Sequence, residues 1–68
     1  MDPRRIAYVG DSPNDMRSAR AAGMVPLGAA WGQGARPHRL WGAGAVEVFD
    51  HPRRLHQWLQ AHQRSATA

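Results

Sequence analysis

Apolar positions along the chain fall into short runs punctuated by glycine and proline, the pattern of alternating strands and helices rather than of a helical bundle. Residues 5–10, Arg-Ile-Ala-Tyr-Val-Gly, form an apolar run that ends in glycine, as a buried parallel strand does. Ser12-Pro13-Asn14-Asp15 then reads as a helix start, with Ser12 as N-cap, Pro13 at the first helical position and Asp15 three residues after the cap. Met16, Ala19 and Ala22 or Gly23 share one face, Arg17 and Arg20 point to solvent, and Gly23 suits a left-handed helix end, so the helix is expected over about residues 13–22. Residues 24–30 resume an apolar run of strand length, although Pro26 and Gly28 disrupt ladder hydrogen bonding. A strand there completes a β-α-β unit, whose right-handed crossover makes its two strands parallel neighbours.

Residues 31–37 read as loop from their glycines and proline, and His38 to Ala43 can hold one helical turn, the order of residues 33–44 being left open by the pattern. Residues 45–49 alternate like a short strand. Asp50 is expected to cap a last helix with Pro52 near its first turn and with Leu55, Trp58, Leu59 and His62 at i, i+3, i+4 and i+7. The fold class is therefore α/β: a β-α-β unit, a short strand and a C-terminal helix, in one unit over residues 1–64 with a frayed tail at 65–68.

The β-α-β geometry places the loop after the first strand on the carboxyl edge of the sheet, where ligands bind in open α/β folds. Asp11 and Asp15 sit four residues apart across that strand-to-helix turn, so both carboxylates can face the same space. Magnesium takes hard oxygen ligands in octahedral geometry, usually one or two carboxylates completed by waters and substrate phosphate. The spacing suits Mg²⁺ as the cofactor, and the helix N-terminus offers free N–H groups to an anion. For Asp15 a Ser-x-x-Asp capping arrangement explains the residue equally well. A carboxylate directly after an apolar strand and a glycine, as Asp11 is, costs free energy unless it is hydrogen-bonded or bound to a cation, which makes Asp11 the first metal candidate. Gly10 allows a tight turn or a close backbone approach to a ligand, or simply ends the strand.

Composition narrows the chemistry. A 68-residue domain buries only about 60% of its unfolded surface. With no cysteine it has neither disulfides nor a thiolate zinc site to brace it, so the core or a partner chain must supply stability. The net charge of +4 favours phosphorylated or polyanionic partners. All nine basic residues are arginine, which excludes any step that needs a lysine ammonium. The N-terminal residues lead into an apolar run too short for a signal peptide, and no stretch reaches membrane-spanning length, so a cytoplasmic location without membrane association is expected.

The run Tyr8-Val9-Gly10-Asp11-Ser12-Pro13-Asn14-Asp15-Met16, followed by Ala19-Arg20-Ala21-Ala22-Gly23-Met24 and by Trp31-Gly32, resembles the C-terminal acidic motif of haloacid dehalogenase-like phosphatases, and within them the phosphoglycolate phosphatase-like branch. The resemblance implies a partial Rossmann-like parallel sheet, magnesium dependence, and hydrolysis of a phosphorylated small-molecule substrate through an aspartyl-phosphate. It implies that Asp11 is the magnesium ligand, that Asp15 is a second acidic residue near the metal or holding the loop, and that Ser12 and Asn14 shape the loop. Equally, it implies what is missing. The family's nucleophile and acid/base pair lie in an Asp-x-Asp motif, and the aspartates here, at 2, 11, 15 and 50, contain none. Its phosphate-binding lysine has no counterpart in a lysine-free chain, and the cap segment that selects substrate is absent. No catalytic residue is assigned, and the chain is expected to be truncated relative to a working phosphatase and inactive alone.

The remaining candidates read as structural. His38, His51, His56 and His62 match no zinc spacing. Trp58 and Trp31 read as packing residues, and Trp41 fits either packing or base stacking. A rival reading is a non-catalytic interaction module that self-associates or binds another chain through an exposed sheet edge. A small basic nucleic-acid binder is less favoured, because the arginines read as a solvated surface. If the chain is a piece of a larger fold, an exposed apolar patch is expected.

Overall fold

The computed structural model of the chain describes residues 6–67. In chain order these form β1 (Ala7–Gly10), α1 (Pro13–Ala21), β2 (Val25–Ala29), α2 (Pro37–Gly42), β3 (Glu47–Phe49) and α3 (Pro52–Thr67). The strands make one parallel sheet in the order β1-β2-β3, with Val9 opposite Leu27 and Gly28 opposite Val48. The α/β class and the β-α-β unit are as expected. Successive right-handed crossovers between neighbouring strands put α1 and α2 on the same face. There Met16, Leu40 and Ala45 form a buried cluster, with Ala30 and Val48 packed against it. Phe49 points to the opposite face and meets the edge of the Trp58 ring of α3. No helix among the described residues is long and apolar enough to cross a membrane.

β2 is the central strand and is the most buried, in spite of Pro26 and Gly28. The Val25 N–H donates to the Ile6 carbonyl on the β1 side, and the Ala30 N–H donates to the Phe49 carbonyl on the β3 side. Pro26 shares its direction with Ala30, so its nitrogen faces a point before β3 begins at Glu47. Its missing N–H therefore costs no ladder bond, while its carbonyl accepts from Val46 N–H at 2.9 Å. Gly28 lets α2 approach the sheet, since a Cβ there would lie 3.0 Å from Leu40 Cδ1.

Both short helices end in the same way. Gly23 has φ 75°, Met24 N–H donates to the Ala19 carbonyl and Gly23 N–H to the Arg20 carbonyl. Gly44 has φ 109°, Ala45 N–H donates to the Leu40 carbonyl and Gly44 N–H to the Trp41 carbonyl. These are Schellman motifs, in which a left-handed glycine satisfies the last helical carbonyls and turns the chain back to the sheet. The second closes α2 over Pro37–Gly42, where the pattern allows a helical turn over residues 38–43. At Gly44 the absence of a side chain also makes room for Arg20, whose Cδ would lie 2.4 Å from an added Cβ.

Several expectations are corrected. The first strand begins at Ala7, and Arg5 lies outside the described residues. The last strand is Glu47–Phe49 only, because the chain is still leaving the α2 cap at Ala45 and Val46. Asp50 does not cap α3: Pro52 at the first helical position makes His51 the N-cap, whose Nδ1 accepts from Arg53 N–H at 3.0 Å, and Asp50 instead pairs with Arg54 Nε at 3.2 Å. Trp31 is 40% exposed rather than packed, and Ala22 and Gly23 lie at the surface. Ala68, in the tail expected to fray at 65–68, lies outside the described residues.

A Gly44→Ala substitution is expected to lower stability by about 1–3 kcal/mol, because alanine resists the positive φ and collides with Arg20. Gly42→Ala, in open space at the end of α2, is expected to be neutral or to stabilise by up to about 1 kcal/mol. Urea midpoints of the two variants measured side by side check both values.

Candidate functional site

β1 delivers the chain to the carboxyl edge of the sheet at Gly10, and α1 leaves that edge at Pro13. The turn between them is held by one side chain. Oδ2 of Asp15 accepts hydrogen bonds from Asp11 N–H (3.1 Å) and Ser12 N–H (3.2 Å), and Ser12 Oγ accepts from Asp15 N–H (3.3 Å). This is a capping box with one further donor, so Asp15 satisfies two loop N–H groups that would otherwise be unpaired. Asn14 Oδ1 accepts from Arg17 Nη2 at 2.6 Å on the outer side of the helix.

Gly10 is explained by the same lock. A Cβ at Gly10 would lie 2.2 Å from Asp15 Cβ and 2.6 Å from its Oδ2. The close approach that glycine permits is therefore to the Asp15 side chain within the loop.

The lock leaves Asp11 differently placed. Its backbone N–H is used by Asp15, its side chain is exposed, and among the described residues no hydrogen bond or ion pair engages its carboxylate. Asp11 and Asp15 border one cavity of about 300 Å³, together with Val9, Gly10, Ala29, Trp31 and Gly32. The parallel pairing of β1 and β2 thus brings Trp31-Gly32 beside the acidic loop. Trp31 as a wall of this cavity was missed from the sequence, where only the parallel neighbour relation of the two strand ends could have signalled it.

Asp11 and Oδ1 of Asp15, which no hydrogen bond engages among the described residues, could hold a magnesium ion, and these hard oxygens fit an ion that takes one or two carboxylates and completes its shell with water and substrate. No group of three or more histidine, cysteine, aspartate or glutamate residues converges among the described residues. His38, His51, His56 and His62 are exposed and lie on other parts of the chain, with His62 Nδ1 donating to the Trp58 carbonyl at 2.8 Å.

No protein-family model and no curated protein matches the chain. Among solved structures it is similar to a conserved haloacid dehalogenase-like protein of unknown function from Agrobacterium tumefaciens, at 30% sequence identity and a TM-score of 0.81 over 93% of this chain. The fold of this chain is therefore haloacid dehalogenase-like. The chain covers 30% of the length of that protein.

Removing the lock and removing the free carboxylate have different expected outcomes. Asp15→Ala lowers stability by about 0.5–2 kcal/mol, since it deletes the cap and turns two loop N–H groups over to solvent. Asp11→Asn changes it by less than about 0.5 kcal/mol, as an exposed substitution does. Chemical denaturation of both variants reads the contrast.

Proposed function

We propose that this chain is the C-terminal segment of a haloacid dehalogenase-like hydrolase, of the phosphoglycolate phosphatase-like branch, and that it contributes the magnesium-binding corner for phosphomonoester hydrolysis in the cytoplasm. The observation that carries this reading is the exposed Asp11 carboxylate, set at the carboxyl end of β1 by a loop that Asp15 holds closed, in a fold of that type. Asp11 binds the ion directly. Asp15 fixes the loop and presents Oδ1 toward the ion or its water.

When bound, magnesium neutralises charge on the phosphoryl group and orients it. The residues of this chain do the holding. Phosphoryl transfer through an aspartyl-phosphate also needs a nucleophile, a proton donor and a further cation at the phosphate. The chain has neither an Asp-x-Asp pair nor a lysine for these roles, so turnover requires a second segment that supplies them.

Calorimetric titration with Mg²⁺ is expected to show weak binding that Asp11→Asn abolishes while the fold is retained by circular dichroism. Unchanged binding in that variant would remove the metal role. The chain alone is expected not to hydrolyse p-nitrophenyl phosphate.

A second reading, a binding module that associates through its sheet, is favoured by one specific feature. β1 is an edge strand, yet Tyr8 (38% exposed) and Val9 (40% exposed) put apolar groups on both of its faces, with no charge or proline in Ala7–Gly10 to discourage pairing. Sedimentation velocity reads this directly. Association that Val9→Lys abolishes supports it, and a monomer at every concentration contradicts it.

A further inference from the structure

A second cavity, of about 580 Å³, opens at the β3 side of the sheet and shares no residue with the one beside Asp11. Its aromatic walls come from three elements: Trp41 on α2, Phe49 on β3 and Trp58 on α3. Trp58 is fixed in place, with its ring 6.2 Å from Phe49 in an edge contact and stacked on His62 at 3.7 Å. Trp41 is different. It is 49% exposed, although it follows the fully buried Leu40, so its indole is displayed to the cavity and to solvent rather than spent in the core.

The charges around the cavity are unbalanced. Arg54 and Asp50 pair with each other across its rim, which leaves Glu47, the chain's one glutamate. Glu47 is half-buried on β3, and among the described residues no hydrogen bond or ion pair engages it. In a chain with net charge +4, this is a local negative site walled by aromatic rings. An aromatic face and an unmatched carboxylate in one slot are complementary to an organic cation, and best to a planar guanidinium, which stacks on the ring while donating to the carboxylate.

We propose that this cavity at the β3 side binds the guanidinium of an arginine side chain, with Trp41 as the stacking surface and Glu47 as the counter-charge. The inference is independent of the metal corner. A stacked cation near the surface and one partly exposed ion pair correspond to a dissociation constant on the order of tens to hundreds of millimolar.

The test is an NMR titration of the full 68-residue chain with N-acetylarginine amide, read on the indole N–H signals of Trp31, Trp41 and Trp58. The Trp41 and Trp58 signals are expected to shift saturably while Trp31 stays still. N-acetylcitrulline amide, of the same shape without the charge, is expected to move none of them. Glu47→Gln should weaken binding about two- to fivefold. Asp11→Asn should leave it unchanged. Equal binding of citrulline and arginine, or full binding in Glu47→Gln, would overturn the proposal. Folding is monitored by the Trp31 signal, and Trp41→Leu gives a second variant at an exposed position that should lose the Trp58 shift. A dimer in sedimentation velocity that Glu47→Gln dissolves places the arginine on a second copy of this chain.

Discussion

The acidic loop depends on the carboxylate of Asp15, which accepts from two consecutive backbone N–H groups and closes the turn between β1 and α1. A strand that ends on a sheet edge and passes directly into a helix leaves donors unpaired at both. Asp15 satisfies two of them with one oxygen, and the tightness of that contact explains why position 10 has to be glycine. Because this residue is committed to the backbone, Asp11 does not have to be. The division of labour between two carboxylates four residues apart, one structural and one displayed, is the basis for assigning the displayed one to a ligand.

The same economy governs the rest of the fold. Two glycine-terminated helices return the chain to the sheet by the same hydrogen-bond pattern, and both pack on one face through Met16, Leu40 and Ala45. Only β2 is enclosed on both sides. Exposed Tyr8 and Val9 on β1, Trp31 at the site, and Trp41 with Val46 near β3 give this small chain more displayed apolar surface than its own core requires. A fold that covers 30% of the length of a protein it resembles at a TM-score of 0.81 is expected to show such surface.

Much of this was legible from local rules. Ser12, Pro13 and Asp15 announced the start of α1, Gly23 its end, and the apolar runs the first two strands, because capping and strand burial depend on residues close in sequence. What escaped depended on tertiary context. Pro26 looked like a strand breaker until its nitrogen proved to face a point before β3 begins at Glu47. The pattern left the order of α2 open, since what fixes it is the burial of Leu40 and a cap at Gly44 that accommodates Arg20 from another helix. Asp50 was taken for a cap because its residue type suits one, whereas Pro52 fixed the helix start one residue later. In the candidate site, the pairing of Asp11 with Asp15 was readable from spacing, but their unequal engagement and the neighbouring Trp31 required the folded loop and the parallel register.

The central claim, that Asp11 presents a metal site, is tested most directly by paramagnetic broadening with Mn²⁺ as a stand-in for Mg²⁺. Amide signals of residues 10–15 and of Trp31-Gly32 are predicted to broaden at substoichiometric Mn²⁺ and to recover when excess Mg²⁺ is added, with the Glu47 and Asp50 region unaffected. Broadening centred on Glu47 and Asp50, or none around the loop, would contradict the account.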